Sequence, residues 1–345
     1  MLYARKRLDW RRALIVTLVT GLAAGWGLAA ASAQPAAAAT LDQLSDRSHK
    51  VNMLADLGYQ PKLVFFGGSR SMRFEPSYVR YWWGIRGFNA TVQGCKNEDV
   101  WALVHHVVRR DPGRKKYVVW GIQPENFFSD QVFDVALVKD RRLRRSFPYA
   151  LRQTMGDGLK HPWSPGRRYA GDGALLYDYY DRQEAAGVTL EEALAAYIKK
   201  VLSWNGTADT IPTTVTRTRT YFERTLAYMS AQGFEPLLII LPMHPDVIAA
   251  IRDEHWDNRR ASFAAYLAGL QQSYRFTVLD FTFIESFGGD PDAFYNAAHM
   301  KLPNMRRLLR AAVRRAPWAF GLAPSPDDLS PLTPASSRLG RLRSP

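Results

Sequence analysis

Five short apolar runs, separated by stretches of helical periodicity, constrain this 345-residue chain more than any other feature. They are Lys62–Phe66, the weaker Gly87–Val92, Tyr117–Ile122, Pro236–Leu241 and Phe276–Phe281. They are apolar throughout rather than alternating, so each needs cover on both faces. The intervening segments supply that cover. Asn97–Arg110 starts at a capping-type residue and sets Val100, Val104, Val107 and Val108 on one face. Thr213–Gln232 stops at Gly233, a residue suited to a helix end. Asn258–Tyr274 carries Phe263, Tyr266, Leu267 and Leu270 at helical spacing, and Pro303–Arg315 opens on a proline and turns Leu308, Leu309 and Val313 inward. Strand–helix alternation of this kind predicts an α/β fold, a parallel five-stranded sheet with helices on both faces. Ligands of such sheets bind beyond the carboxyl ends of the strands. Ser69, Asn89, Gln123 and His244 fall at or near such ends, and His299 follows the fifth run.

The segment from 124 to 212 breaks the alternation. It is too long for one crossover and too patterned for a bare loop. Asp134–Gln153 and Thr189–Trp204 read as helices, with a Gly/Pro/aromatic stretch, HPWSPGRRYAGDGALLYDYY, between them. We expect a largely helical insertion that caps the site, within a domain spanning residues 40–315. The tail, 316–345, is rich in Pro and Ser and is expected to be partly disordered.

Residues 1–39 read as an address. Arg5, Lys6, Arg7, Arg11 and Arg12 precede an uncharged stretch, Ala13–Ala31, and Ala31-Ser32-Ala33 fits a small-x-small cleavage site. The stretch is also near membrane-spanning length, so a signal peptide and an uncleaved membrane anchor are both open, with cleavage preferred. Either places the remainder outside the cytoplasmic membrane, secreted or anchored, with membrane contact through the N-terminus if it is uncleaved.

The formal net charge is +14. Nucleic acid is not the expected partner, because the basic residues concentrate in the N-terminal segment and between Lys139 and Arg168, with no helix-turn-helix, zinc-finger or RNP-like pattern. An anionic envelope polymer or lipid headgroup suits the charge better, and a solvated basic surface accounts for it as well. The single cysteine, Cys95, excludes an internal disulfide and reads as a buried structural thiol. No HExxH, EF-hand or P-loop pattern occurs, so no metal and no cofactor are expected.

The chemistry-bearing segments are Phe65–Pro76, FFGGSRSMRFEP, and Phe294–Met300, FYNAAHM. The first presents Ser69 on a Gly67-Gly68 break after a strand, and the second places His299 in a loop before a basic helix. A serine needs a base to take its proton, and His299 is the candidate base. Plainer readings stand beside this one: Ser69 as turn chemistry, His299 and Asn89 as helix-entry and turn residues, and Arg70 and Arg73 as surface ion-pair partners. His244, His105 and His106 read as structural or packing residues.

Together these blocks resemble the SGNH (GDSL-like) hydrolase superfamily, in particular its extracytoplasmic branch with the teichoic-acid D-alanine transfer protein and the alginate O-acetylation proteins. The resemblance covers about residues 60–123 and 213–315: Gly67-Gly68-Ser69 with Arg70 to Pro76, Gly87-Phe88-Asn89, and Phe294 to His299. It implies a three-layer flavodoxin-like/SGNH-type fold. It also implies catalytic residues Ser69, His299 and Asn296, with Gly68, Asn89, Arg70 and Arg73 at the oxyanion and substrate. Two departures stand out. Asn296 occupies the position of the usual aspartate, with Asp290 and Asp292 as off-spacing substitutes, and Gly121-Ile122-Gln123 has no clean match to the third block, which normally offers an asparagine. An amide in place of a triad carboxylate can select the wrong imidazole tautomer, which in a serine protease lowers kcat about 10⁴-fold. Two functions follow from the resemblance. One is a serine esterase or O-acyltransferase acting on an acylated envelope polysaccharide. The other is a weak or inactive binding and assembly protein supporting a separate membrane-bound acyltransferase.

Overall fold

The computed structural model describes residues 45–128, 134–148, 166–204, 217–252 and 254–323. The apolar runs become strands. In chain order these are β1 (Leu63–Gly67), β2 (Gly87–Asn89), β3 (Tyr117–Ile122), the short β4 (Arg168–Tyr169) and β5 (Leu175–Tyr177), β6 (Leu237–Ile240) and β7 (Thr277–Asp280). Five of them form one parallel sheet in the order β2-β1-β3-β6-β7. Counting sheet strands alone, that is the 2-1-3-4-5 order of the flavodoxin-like fold. Its switch point lies between β1 and β3, where the chain departs to opposite sides.

The helices are α1 (Asp46–Asp56), α2 (Pro76–Trp83), α3 (Asn97–Arg110), α4 (Ala136–Lys139), α5 (Arg141–Arg144), α6 (Tyr179–Ala185), α7 (Leu190–Trp204), α8 (Arg217–Ala231), α9 (Pro245–Ile251), α10 (Glu254–Gln271) and α11 (Leu302–Arg315). They form a layer on each face of the sheet. Val64, Phe66, Val118, Trp120, Leu238 and Ile240 point to one face and pack against α1, α3, α8 and α10. Leu63, Phe65, Val119, Leu237 and Ile239 point to the other and pack against α2 and α11. Full burial of such a side chain is worth about 1.5–3 kcal/mol, so both faces of every central strand contribute. The three-layer α/β architecture expected from the apolar runs is the one observed.

Local differences have local causes. Asn97 is the first helical residue of α3, not its cap, and its side chain ties the helix to Thr218 O at 3.0 Å. The cap is made by Asp99, which accepts from Lys96 N at 2.7 Å. The helix expected over 134–153 is two short ones. Asp140 is extended, accepts from Arg142 N at 2.9 Å and so restarts the chain as α5; residues 149–153 lie outside the described residues. An unexpected antiparallel pair, β4–β5, replaces part of the Gly/Pro/aromatic stretch. The expected N-terminal address, and the tail beyond residue 323, also lie outside the described residues. No described helix is long and apolar enough to cross a membrane.

Candidate active site

Ser69 opens a 3-10 turn, Ser69–Ser71, directly beyond β1. Two glycines make the turn feasible. Gly67 has φ 136°, and a Cβ there would stand 2.6 Å from Gly121 O on the neighbouring strand. Only glycine combines that conformation with that approach. Ser71 then locks the turn from inside: its N–H and its hydroxyl both donate to Gly68 O, at 2.9 and 2.8 Å.

His299 comes from the far end of the chain. The loop that carries it is closed by Tyr295 N donating to His299 O at 2.8 Å and Lys301 N to Ala293 O at 2.9 Å. Asn304, on α11, fixes its base by donating to Asp290 O at 2.7 Å and Ala293 O at 3.2 Å. His299 Nε2 thereby lies 2.9 Å from Ser69 Oγ, and His299 Nδ1 lies 2.9 Å from Asn296 Oδ1. The serine, the imidazole and the amide form one continuous hydrogen-bonded line.

The tautomer follows from the backbone. Asn296 Oδ1 also accepts from Ala298 N at 3.0 Å and His299 N at 3.1 Å. Only an oxygen can accept from two N–H donors, so the amide cannot turn its nitrogen to the ring. Nδ1 must then carry the proton, and Nε2 is left as the acceptor facing the serine. What the amide does not supply is charge. Burial, with the positive charges of Arg70 and Arg73 nearby, pushes the His299 pKa down to about 3 from an ordinary 6.5. The imidazole is neutral at pH 7 and a weak base.

The insertion roofs this line. Tyr180, at the start of α6, stacks tilted on His299 with ring centroids 4.3 Å apart, and its hydroxyl lies 3.4 Å from Nε2. Burial raises the Tyr180 pKa to about 12 and keeps the phenol protonated. Arg73 was expected at the substrate; the structure places it as an internal brace. Its Nη2 meets Asp178 at 3.2 Å and also Asp181, and its guanidinium lies 4.7 Å from the Tyr295 ring centre. Tyr295 in turn donates to Asp181 at 2.7 Å. Arg70 is buried and paired with Glu125 at 3.1 Å.

Asn89 does not serve as the expected oxyanion donor. It is fully buried, and its Nδ2 donates to Ser71 O, Met72 O and Phe74 O at 3.3, 3.0 and 2.8 Å. Its Oδ1 accepts from Thr91 N at 3.0 Å and from the Thr91 hydroxyl. Its amide is spent on holding the segment behind Ser69 and the turn at Thr91. Gln123 stands closer to the task. It follows β3 across the switch point, and a methyl group placed on Gly68 would lie 2.9 Å from its Nε2. Gly68 therefore leaves room for an amide donor beside the serine turn. The offset of one residue type at the third block was the signal in the sequence. Tyr180 and Asp181 were not singled out there, and the aromatic run ending in Tyr179-Tyr180 gave the only hint.

The other candidates are structural. His244 caps α9, accepting from Asp246 N at 3.2 Å, and its Nε2 lies 3.1 Å from Pro291 O. His105 stacks on Tyr228 with centroids 3.7 Å apart. The Cys95 thiol is buried, which raises its pKa well above the ordinary range. Asp290 accepts from Asp292 N at 3.0 Å, while the ring position it might have taken is held by Asn296. No group of His, Cys, Asp or Glu able to hold a metal occurs among the described residues.

No protein-family model matches the chain, and no curated protein matches it. Among solved structures it is similar to a protein from Streptococcus pneumonia whose name refers to platelet activating factor. The TM-score is 0.39 at 10% identity, over 79% of this chain and 91% of that one.

Proposed function

We propose that the chain is a serine esterase or O-acyltransferase that works on an acylated cell-envelope glycan through an acyl-Ser69 intermediate. The observation that supports this is the line Ser69 Oγ–His299 Nε2–His299 Nδ1–Asn296 Oδ1, with both contacts at 2.9 Å. In the first half-reaction Ser69 Oγ attacks the ester carbonyl while its proton passes to His299 Nε2. The carbonyl oxygen becomes an oxyanion, met by the Ser69 N–H and the Gln123 amide. As the ester C–O bond breaks, the imidazolium returns the proton to the leaving alcohol. In the second half-reaction a water or a sugar hydroxyl gives its proton to His299 and attacks the acyl-serine, and Ser69 recovers its proton. Hydrolysis and transfer share the intermediate and differ only in the acceptor.

The glycan as substrate is supported by the resemblance of the serine and histidine blocks, a location outside the cytoplasmic membrane by the basic N-terminal pattern, and an anionic envelope polymer as partner by the basic residues between Lys139 and Arg168. A reporter fused after residue 45 tests export: activity of a cytoplasm-only reporter there would reject it.

One observation favours a second reading, a binding or assembly protein serving a membrane-bound acyltransferase. His299 has no carboxylate behind it and its pKa sits near 3, so the imidazolium formed in each half-reaction is costly. Trapping separates the two. Incubation with a fluorophosphonate, followed by peptide mass spectrometry, should place the label on Ser69, and Ser69→Ala should abolish both label and ester hydrolysis. An unlabelled Ser69 with no hydrolysis leaves the binding reading.

A further inference from the structure

A cleft of about 80 Å³ lies at the carboxyl edge of the sheet beyond β3, β6 and β7. It is well below the ~300–1,000 Å³ of a whole small-molecule site and is the size of a subsite. Phe128, Ile240, Leu241, Met243 and Trp256 give it an apolar lining, and Arg70, Glu125, Arg259, Arg260 and Thr282 a polar one. Several of the polar groups are already engaged inside the protein. Arg70 Nη2 is held by Glu125 at 3.1 Å, Thr282 Oγ1 donates to Asp280, and Arg260 Nη2 meets Asp280 at 2.8 Å. An occupant would thus meet mainly carbon.

The cleft is lined by neither Ser69 nor His299 but by sequence or packing neighbours of each. Arg70 lines it and directly follows Ser69 in the nucleophile turn. Met243 lines it and packs in one cluster with Ala297, two residues before His299. Arg70, whose charge also acts on His299, places the cleft on the β3–β6 side of the candidate site.

We infer that this cleft is an acyl subsite: it takes an unbranched, apolar acyl chain of the ester that Ser69 attacks, so the enzyme favours acyl groups longer than acetyl. The inference rests on the esterase reading above and adds the class of acyl group to it.

The test is an acyl-length series of p-nitrophenyl esters, acetate through octanoate, on the full chain. Burying one methylene is worth about 0.8 kcal/mol, or roughly fourfold. The expected result is a kcat/KM that climbs about fourfold per methylene until the cleft is filled. Met243→Trp, which fills it, should lower the octanoate-to-acetate ratio at least tenfold. Phe128→Ala, which removes a part-exposed wall, should lower the same ratio and keeps the test open if the tryptophan variant does not fold. A measurable acetate rate with a flat or falling series overturns the subsite and leaves the esterase reading standing, as does a ratio unmoved in both variants. A silent series with Ser69 resistant to fluorophosphonate overturns both.

Discussion

Asn296 turns its carbonyl oxygen, not its amide nitrogen, toward His299 Nδ1, at 2.9 Å. The orientation is enforced from below by the backbone N–H groups of Ala298 and His299, which both need an acceptor. An amide here keeps the geometry and the tautomer of a triad and lacks only its negative charge. That separates two contributions usually lost together when a triad aspartate is replaced.

The first prediction follows from the missing charge. Asn296→Asp should raise kcat/KM for p-nitrophenyl acetate at least tenfold, about 1.4 kcal/mol of barrier. A carboxylate in the same place would stabilise the imidazolium against the positive charges of Arg70 and Arg73. A lower rate in a variant with unchanged melting temperature would count against His299 as the base.

The second concerns pH. On the esterase reading catalysis needs neutral His299, whose pKa is pushed down to about 3, so the acid limb of the rate profile should fall well below the 6.5 of an unperturbed histidine. Asn296→Asp should move that limb upward. A wild-type limb near 6.5 would sink the assignment.

Stability carries the same sign. Between the lowered folded value and 6.5, the unfolded chain binds more protons than the folded one, so stability falls as pH drops through that window. His105 and His106, each pushed down to about 4 by burial and then by the charge of Arg109, add to the slope. Urea midpoints should therefore be lower at pH 4.5 than at pH 7, and His106→Gln should flatten the difference.

Gln123 is tested through kcat. Gln123→Leu should lower kcat about 10²-fold, the effect of removing one oxyanion donor, with KM little changed. Gly68→Ala should lower it too, since the new methyl would lie 2.9 Å from the Gln123 amide and displace it. Unchanged kcat in Gln123→Leu would leave the oxyanion to backbone donors.

Asn89 should behave differently. Asn89→Ala takes the side-chain partner from buried Phe74 O and Thr91 N, at about 1–3 kcal/mol each when left unpaired, while Ser71 O and Met72 O keep backbone donors. A loss of about 3 kcal/mol or more in denaturant unfolding is expected. A stable variant with lost activity would return Asn89 to a direct catalytic role.

The sheet was legible because its strands are buried on both faces. Leu63–Gly67 and Leu237–Ile240 are uninterrupted apolar runs, and nothing in them competes with that reading. The Ser69 and His299 blocks were legible because a glycine break and a helix-entry loop are local features. Asn89 misled, since Gly-Phe-Asn at a strand end looks the same whether the amide faces a ligand or the backbone of a distant turn. Tyr180 escaped notice for a related reason. It reaches His299 across 119 positions of sequence, and no local pattern marks such a contact. The hairpin of β4 and β5 had a usable sign, Gly171-Asp172-Gly173 between short β-prone runs, with Gly173 at φ 86°.

That hairpin lies against the outer edge of the sheet. Asp172 O accepts from Asn89 N at 2.8 Å, Asp172 Oδ2 from Ser77 N at 2.7 Å, and Leu175 N donates to Met72 O at 2.8 Å. Lys50, wholly buried, splits its ammonium between Asn89 O and Gly173 O. Arg167 closes on Asp46 at 2.7 Å. The insertion is accordingly not modular. A minimal version of the protein, trimmed to its sheet and flanking helices, would not offer a more open catalytic cleft. It would present an unprotected strand edge and a stranded lysine, and would aggregate before it could be assayed.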